Sequence, residues 1–234
     1  MERFWDARAR EDPHFFVDDR LAYGAPDLER FWSDGVEALD LILGLLGVEI
    51  APGDAVVEVG CGVGRITRPL AERAAAVHAF DVSGEMLARA REGNRDLTNV
   101  TWVQGSGTDL RPLGDAAADV CFSHVVFQHL PDPQITLGYV REMGRVLRPR
   151  GWAAFQISTA PSIHRPARPA RRIARRLAEL LGNAPRGRGH PAWRGSAVDL
   201  AQLRDVASRA GMETARVHGA GGQFCLVLLR RRGA

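Results

Sequence analysis

Residues 56–65 read VVEVGCGVGR, an apolar run that ends in three closely spaced glycines. We predict a strand over residues 55–59 and a loop through Gly60, Gly62 and Gly64. Glycine lets the main chain turn sharply and lets a ligand approach it without a Cβ in the way. A helix that begins after such a loop offers free N–H groups and a positive dipole end to an anion. The stretch therefore predicts a strand, a ligand-binding loop and a helix, in that order.

Short apolar runs and helical stretches alternate on both sides of this loop. Parallel strands buried on both faces read as near-continuous apolar runs, and right-handed crossovers place helices on both faces of their sheet. The predicted strands are 55–59, 76–80, 100–104, 119–123 and 152–157, and the predicted helices between them are 67–73, 84–94 and 134–147. The alternation therefore predicts an α/β fold with a doubly wound sheet.

The C-terminal stretch departs from this alternation. A predicted helix over 197–210 is followed by apolar runs at 213–218 and 223–230, and only residues 219–222 join the two runs. A connection this short permits an antiparallel hairpin and excludes a parallel crossover. We therefore predict a mostly parallel, seven-stranded sheet with one antiparallel strand.

The chain of 234 residues is predicted to be one domain with two additions to its core. Residues 1–50 read as helix, break, helix, with Asp27 as the N-cap of the second helix, and form a helical N-terminal cap. Residues 54–158 form the predicted cofactor-binding core. An Arg-rich lid insertion follows at 160–195, and the terminal helix and hairpin span 197–230.

The basic residues are unusual in kind and in distribution. All 31 are arginine, so a lysine Schiff base and a phosphate-loop lysine are both excluded. Residues 160–195 contain nine arginines against one acid, a net +8, whereas the remainder contains 22 arginines against 27 acids, a net −5. A nucleic-acid-binding protein usually carries its basic face on the folded body. We therefore do not expect a nucleic-acid partner.

The sequence contains no targeting or metal-binding pattern. The longest apolar stretch, residues 39–46, is interrupted by Asp40 and Gly44 and is much shorter than a membrane span. The N-terminus lacks the apolar region of a secretory signal. The three cysteines are widely spaced, and no histidine pair has metal-ligand spacing. These observations predict a cytoplasmic protein without a bound metal.

Asp81 follows the second predicted strand, 17 residues after Gly64. A carboxylate in this position lies beside the glycine loop and can accept two hydrogen bonds from a ribose diol. The order strand, loop, helix, strand, acid therefore favours a nucleoside ligand. The dinucleotide fingerprint G-x-G-x-x-G does not fit, because its third glycine would fall at Arg65 or Thr67. A nicotinamide cofactor is accordingly disfavoured.

Four motifs carry a resemblance to a known family: EVGCGVGR at 58–65, FDVSGEML at 80–87, VQGSGTDL at 103–110 and ADVCFSHVVFQHLPD at 118–132. Together they resemble the class I S-adenosylmethionine-dependent methyltransferases, most closely the small-molecule branch, over residues 54–158. The resemblance implies a Rossmann-like methyltransferase fold and S-adenosylmethionine as the cofactor. The implied activity is methyl transfer to an O, N or C nucleophile of a small organic molecule, as in natural-product biosynthesis.

The resemblance also implies which residues hold the cofactor. Gly60, Cys61 and Gly62 would lie against its methionine part, Glu58 near its amino end and Asp81 at the ribose hydroxyls. The remaining implied contacts are Val82 and Met86 with the adenine, Ser106, Gly107 and Thr108 with the adenine edge, and Ser123 with the sulfonium. The family most often has an acid at the position of Ser106. Here a serine hydroxyl or a backbone group must make that contact.

His124 and His129 follow the fourth predicted strand at the ligand-binding edge and are the candidate general bases. Histidine is the side chain best matched to removing a proton near neutral pH. His129 can equally brace its loop through hydrogen bonds. On the acceptor side, the candidates for an aromatic wall are Phe15, Phe16, Tyr23, Phe31 and Trp32, although packing on the sheet is favoured for Phe31 and Trp32. His14 lies in the cap, where a substrate contact competes with plain solvent exposure.

Three alternatives to a small-molecule methyltransferase remain open. An RNA methyltransferase would use the basic insertion, whose residues 171–181 (RRIARRLAELL) are predicted to form an amphipathic helix that closes the site or lies on a membrane. A non-catalytic module that binds S-adenosylmethionine would keep the same glycine loop and Asp81. A nicotinamide oxidoreductase is the weakest alternative, because Arg65 stands where a glycine is needed. The sequence does not determine the oligomeric state.

Overall fold

The computed structural model describes residues 1–165, 178–179, 185, 187 and 189–233. The predicted amphipathic helix at 171–181 lies outside the described residues, apart from 178–179.

Seven strands form a single sheet in the order β3-β2-β1-β4-β5-β7-β6. The strands are β1 Ala55–Val59, β2 Ala76–Asp81, β3 Val100–Gln104, β4 Ala118–Ser123, β5 Leu147–Ile157, β6 Met212–His218 and β7 Cys225–Arg231. β1 to β5 pair in parallel, whereas β7 lies antiparallel to both β5 and β6. The predicted sheet with one reversed strand is confirmed.

Eight helices and one 3₁₀ turn are present among the described residues. They are α1 Glu2–Glu11, α2 Pro13–Val17, α3 Leu28–Leu46, α4 Thr67–Ala71, α5 Gly84–Gly93, the 3₁₀ turn Phe127–His129, α6 Pro133–Val146, α7 Pro191–Arg194 and α8 Leu200–Arg209. None of these helices combines the length and apolar character that crossing a bilayer requires.

The N-terminal cap contains three helices rather than the two predicted. The first predicted helix is interrupted at Asp12, whose carboxylate accepts a hydrogen bond from the Phe15 main-chain N–H at 3.1 Å and so caps α2. Pro13 occupies the first position of α2, where its missing N–H costs nothing. Asp27 caps α3 as predicted, because its side chain accepts from the Arg30 N–H.

β5 begins five residues earlier than predicted. Leu147 already pairs with Ala118, and α6 ends at Val146 with no loop between helix and strand. A register shift between Ala118 and Val120 on β4 absorbs the irregular start of β5. The sequence pattern missed this extension because the residues that follow Leu147 are exposed and polar.

The core lies on both faces of the sheet, as a doubly wound fold requires. On one face Val57 of β1 packs with Val140 and Met143 of α6. On the other face Val56 packs with Leu39 of α3. Each of these five side chains is fully buried, and burial of such a side chain contributes about 1.5–3 kcal/mol. A third apolar cluster, which includes Phe15, Phe16, Phe31, Val63 and Met86, joins the N-terminal helices to the glycine loop.

The chain segments on either side of the undescribed insertion are bonded to each other. His164 Nδ1 lies 2.6 Å from the Arg194 carbonyl oxygen, and its Nε2 lies 2.7 Å from Ser158 Oγ. A carbonyl can only accept, so Nδ1 carries the proton and Nε2 accepts from the serine hydroxyl. These two hydrogen bonds therefore hold Ser158, His164 and Arg194 close together.

Candidate active site

The glycine loop joins β1 to α4 with its main chain in the left-handed region. Gly60 and Gly62 have φ angles of +78° and +55°, which L side chains rarely adopt. A Cβ on Gly60 would lie 2.3 Å from the Val126 side chain, and one on Gly62 would lie 2.7 Å from the Val17 side chain. The N–H groups of Gly60 and Cys61 donate to the Phe80 carbonyl at 2.7 and 2.9 Å. Conformation and packing therefore both require glycine here.

The helix after this loop is shorter than the sequence predicts. α4 has only five residues, Thr67–Ala71, instead of 67–73, and Ile66 at its N-cap provides no side-chain hydrogen bond. One and a half turns build little macrodipole. The N-terminus of α4 therefore provides less attraction for an anion than the sequence predicts. The other groups at this edge of the sheet are the main chain of the loop and two carboxyl groups.

The first of these carboxyl groups, Asp81, ends β2 and fixes the loop. Its Oδ2 accepts from the Gly62 N–H at 2.9 Å and its Oδ1 accepts from the Ser83 N–H at 2.8 Å. Burial raises the pKa of Asp81, and these main-chain bonds oppose that rise. Asp81 thus holds the glycine loop in place from the neighbouring strand.

Glu58, the second carboxyl group, is buried on β1. Its Oε2 accepts from the Thr67 hydroxyl at 2.5 Å. Burial raises the pKa of Glu58 to about 7, and the negative charge of nearby Asp81 adds to the rise. The proton on Glu58 is therefore exchangeable near neutral pH, and a cation nearby would favour the charged form.

Two neighbouring cavities open at the carboxyl ends of the strands. The inner cavity has a volume of about 110 Å³ and lies against the glycine loop, Asp81 and Glu58. The outer cavity has a volume of about 890 Å³ and lies between the N-terminal cap and the chain around α7. Both cavities are lined by Phe16, Val17, Arg65, His124, Val125 and His129, which we call the junction.

His129 is fully engaged in hydrogen bonds at the junction. Its Nδ1 lies 2.7 Å from the Trp193 carbonyl oxygen and its Nε2 lies 3.2 Å from Gln128 Nε2. The carbonyl accepts from Nδ1–H, which leaves Nε2 to accept from the amide. Burial lowers the pKa of His129. His129 therefore braces the loop after β4 against α7, which is the second of the two roles predicted for it.

His124 has free hydrogen-bonding capacity at the same junction. Its Nδ1 is buried without a hydrogen-bond partner among the described residues. Burial and the nearby guanidinium of Arg65 lower the pKa of His124 to about 4, so the ring is neutral at physiological pH. The next residue, Val125, has a φ of +57°, a strained conformation for a β-branched side chain. Its N–H donates to Gln156 Oε1 at 3.1 Å, which holds the strained turn in place.

Comparison with known proteins gives the family. A family model described as "Methyltransferase domain" matches residues 57–155. A trans-aconitate 2-methyltransferase from Azoarcus sp. (strain BH72) is 40% identical over 116 residues, which are 48% of this chain and 42% of that protein. An uncharacterized methyltransferase from Synechocystis sp. (strain PCC 6803) is 30% identical over 193 residues, 80% of this chain and 81% of that one. The chain belongs to the class I S-adenosylmethionine-dependent methyltransferases.

The fold agrees with this membership of the methyltransferases. The crystal structure of a magnesium protoporphyrin IX methyltransferase from Synechocystis PCC 6803 with bound SAH superposes with a TM-score of 0.63 at 17% identity, covering 98% of this chain and 97% of that chain. The chain matches only 38–49% of the length of three curated relatives.

S-adenosylmethionine is the methyl donor of this family, and the inner cavity of the methyltransferase fits it. Glu58 places a buried carboxyl group on the wall and Asp81 a partly buried one, and no arginine side chain among the described residues is hydrogen-bonded to either. Such a wall suits a cofactor that carries a sulfonium and an ammonium group. Val82 and Met86 add apolar surface for an adenine ring.

Eight of the eleven predicted cofactor residues line the inner cavity of the methyltransferase. They are Glu58, Gly60, Cys61, Gly62, Asp81, Val82, Met86 and Gly107. Ser106, Thr108 and Ser123 are not among the lining residues. The Ser106 hydroxyl accepts from the main-chain N–H groups of Thr108 and Asp109, so it closes its own turn. Ser123 Oγ donates to the Val59 carbonyl at 2.9 Å and is buried between β4 and β1.

The predicted acceptor residues His14, Tyr23 and Trp32 of the methyltransferase are not brought to either cavity. The His14 and Trp32 rings both pack edge-on against Phe31, with ring centroids 4.9 and 5.0 Å away. Tyr23 is partly exposed, and its hydroxyl donates to Glu11 at 2.5 Å. Packing inside the cap therefore takes the place of the predicted aromatic wall at these positions.

Several lining residues were not predicted from the sequence as site residues. Met1 and Trp5 bring the N-terminal helix over the inner cavity, and Trp193 of α7 lines the outer one. Trp5 is a large apolar residue in the cap, which is a weak signal. Phe16, by contrast, is one of the predicted aromatic-wall residues and lines both cavities. Arg65 follows the glycine loop directly and drew attention only as a departure from the dinucleotide fingerprint.

Proposed function

We propose that this protein transfers a methyl group from S-adenosylmethionine to an O, N or C nucleophile of a small organic molecule. The observation that carries the proposal is the junction, where one cavity lined by Asp81 and the glycine loop meets a larger one. A methyltransferase needs such a pair of spaces, because methyl transfer is an in-line displacement between two bound molecules. The name of the Azoarcus relative, which denotes trans-aconitate as acceptor, supports a small organic acceptor.

The inner cavity residues have the roles that cofactor binding requires. Asp81 would accept hydrogen bonds from the ribose hydroxyls, and Glu58 would lie near the amino end of the methionine part. Val82 and Met86 would flank the adenine ring. Because the hydroxyls of Ser106 and Thr108 lie 3.1 Å apart and serve their own turn, the contact to the adenine edge falls to the main chain at Gly107.

The outer cavity would receive the acceptor. When bound, S-adenosylmethionine supplies a methyl group activated by its sulfonium. His124 is the histidine that can contact an acceptor, because it has an unpartnered ring nitrogen at the junction. His129 would hold the loop and α7 in position, and Ser123 would act through β1 rather than through direct contact. Exclusion of water falls to Phe16 and Val17, which line both cavities.

Titration calorimetry tests the cofactor assignment directly. We expect S-adenosylmethionine and its demethylated product, S-adenosylhomocysteine, to bind with one site per chain, and NAD to give no heat of binding. Binding of NAD with equal or higher affinity, or no binding of either adenosyl compound, would contradict the proposal.

Methyl transfer itself is tested with isotopically labelled cofactor. The protein is incubated with a library of small organic compounds and, in parallel, with total RNA. A mass gain of one labelled methyl group on a small compound is the expected result. Label recovered only in RNA would replace the small-molecule assignment with the RNA methyltransferase. A cofactor that binds but is not consumed in any of the incubations would replace it with the non-catalytic module.

A further inference from the structure

The outer cavity contains buried nitrogen atoms that lack a hydrogen-bond partner. Among the described residues, Arg65 Nε, Arg194 Nε and His124 Nδ1 are buried and unpartnered, and all three side chains line this cavity. A guanidinium Nε–H can only donate. An unsatisfied buried donor is costly, and a ligand that supplies an acceptor removes that cost.

Arg65 is placed at the point where a methyl group would arrive. Its side chain is 94% buried and lines both cavities. Among the described residues its ion pair is a 3.3 Å contact from Nη1 to Asp18, and Asp18 is already bonded to Arg20 through both carboxylate oxygens. Arg20 and Arg30 in turn share Asp34, and Asp19 on the same wall interacts with Arg20. The carboxylates of this wall are therefore engaged largely by Arg20, while the Nε of Arg65 keeps no hydrogen-bond partner among the described residues.

Three exposed apolar side chains also line the outer cavity. Leu41, Ile163 and Phe224 line it with exposed fractions of 62%, 47% and 59%. Exposed large apolar side chains around a cavity are typical of binding sites. Glu37 also lines the outer cavity, and its side chain is exposed to solvent, which screens its charge. The cavity thus combines an anion-binding group at the junction with exposed apolar surface.

The junction also offers little capacity for removing a proton from an acceptor. Both ring nitrogens of His129 are hydrogen-bonded, and Asp18 is bonded to Arg20 and Arg65. Glu58 and Asp81 line the inner cavity and not the outer one, so they lie on the cofactor side. His124 is neutral but is a very weak base, since its pKa is about 4. An acceptor that is already anionic at neutral pH needs no base at all.

We propose that the acceptor is an organic acid with an apolar chain or ring, that Arg65 binds its carboxylate at the junction, and that a carboxylate oxygen is the methylated atom. The apolar part lies toward Leu41, Ile163 and Phe224. The inference rests on the proposed function and specifies its acceptor. The carboxylate oxygen forms a bond to the methyl carbon, the bond from that carbon to sulfur breaks, and its electron pair remains on sulfur. The products are a methyl ester and S-adenosylhomocysteine, with no proton transferred and no further reactant.

The test uses the full chain and three probes of equal length: octanoate, octanamide and 1-octanol. Calorimetry with S-adenosylhomocysteine comes first, and its failure would overturn the proposed function rather than this inference alone. With that product bound, we expect octanoate to bind at least ten-fold more tightly than octanamide or 1-octanol. With S-adenosylmethionine, we expect methyl octanoate, detected by mass spectrometry. Equal binding of the three probes, no binding of octanoate, or bound octanoate that yields no ester would each overturn the inference.

Substitution of the arginines tests the assignment of the carboxylate site. We expect Arg65→Met to reduce ester formation and octanoate affinity at least ten-fold, with both measured at saturating cofactor or product, and circular dichroism shows whether the variant is folded. Arg194 lines the outer cavity and not the inner one. Arg194→Met should therefore weaken octanoate binding, to a smaller extent than Arg65→Met, and it replaces Arg65→Met in the test if that variant does not fold. Arg209→Met is the matched control, because Arg209 pairs with Asp205 on the exposed face of α8. Unchanged ester formation in folded Arg65→Met would overturn the role of Arg65.

Discussion

Asp81 connects the shape of the glycine loop to the recognition of the ligand. The same carboxylate that accepts from the N–H groups of Gly62 and Ser83 faces the inner cavity. A carboxylate has about four lone-pair positions, so it can serve the main chain and a ribose at once.

Replacing Asp81 with alanine removes both functions. We expect Asp81→Ala to weaken the binding of S-adenosylhomocysteine by about 1–3 kcal/mol, the scale of a polar partner left unpaired. Calorimetry measures the affinity, and circular dichroism confirms the fold. Asp115→Ala, at an exposed ion pair with Arg145, is the control and should leave the affinity unchanged. An unaltered affinity in folded Asp81→Ala would remove this residue from the site.

Glu58 should make the folded protein less stable as pH rises, whereas a carboxyl group with a lowered pKa has the opposite effect. Its pKa is raised from 4.5 to about 7, so the folded protein holds a proton that the unfolded chain releases, and stability falls as pH rises from about 4.5 to about 7. The full effect is about 3 kcal/mol. We expect the free energy of unfolding of Glu58→Gln, relative to that of the parent protein, to increase from pH 5 to pH 8. Urea unfolding of both proteins at the two pH values measures this difference. A difference between the two proteins that does not change with pH would show that Glu58 does not titrate in this range.

His129 should contribute to stability rather than to proton transfer. Its two hydrogen bonds tie the loop after β4 to α7, and their loss in His129→Ala should lower the free energy of unfolding by about 1–3 kcal/mol. Because burial lowers the pKa of His129, this contribution is lost as pH falls below about 6.5, where the unfolded chain binds the proton first. Thermal unfolding at pH 7.5 and pH 5.5 checks both statements. Equal stability of variant and parent protein at pH 7.5 would leave His129 without a bracing role.

At the scale of elements, α2 is fitted directly onto the glycine loop. The Val17 side chain occupies the space that a Cβ on Gly62 would need. The strands that flank this contact were predictable, because β1 to β4 are short, mostly apolar runs that alternate with helical stretches along the chain. The position of α2 was not, since aromatic residues in a short amphipathic segment do not specify which surface they cover.

The contact between α2 and the loop can be tested by a pair of substitutions. Gly62→Ala should destabilise the protein by more than the roughly 1–2 kcal/mol of left-handed strain, because its Cβ also collides with Val17. Val17→Ala in the same chain should restore part of the loss, leaving the conformational cost. Gly53→Ala is the control, since no atom lies within 4 Å of its added Cβ and its φ is not positive. Urea unfolding of the parent protein, Gly62→Ala, Val17→Ala and the double variant measures the coupling free energy between the two positions. Strictly additive effects would mean that α2 does not press on the loop.

At the scale of the whole molecule, the cofactor site is closed by parts that are distant in sequence. Met1, Trp5, Phe16 and Val17 line the inner cavity together with the ends of β1, β2 and β4. The motifs of residues 58–132 predicted most of the lining of the inner cavity, and the strand–helix alternation along the chain predicted the fold. Most of the lining of the outer cavity was not predicted, because much of it comes from the cap and from α7, where tertiary packing rather than pattern decides which side chains face inward. His14, Trp32 and Tyr23 show this, since the cap uses them for its own packing.

Ligand binding should therefore stabilise the entire chain and order its N-terminus. At 100 times its dissociation constant, S-adenosylhomocysteine adds about 2.7 kcal/mol. For a chain of 234 residues this should raise Tm by about 5–10 °C. Amide hydrogen exchange over residues 2–17 should slow on binding, whereas exchange in β6 should not change. A rise in Tm without slower exchange in 2–17 would show that α1 and α2 do not close over the ligand.

The bond between His164 and the Arg194 carbonyl has a consequence for how such proteins diversify. A segment whose two ends are fastened together beside the acceptor space can be exchanged for another of different length, because loop closure depends only weakly on length. Grafting the corresponding segment of a relative between these anchor points should alter which compound is accepted and leave the sheet and its adenosyl pocket intact. A graft that changes the accepted compound without changing the affinity for S-adenosylhomocysteine would assign part of the choice of acceptor to this segment.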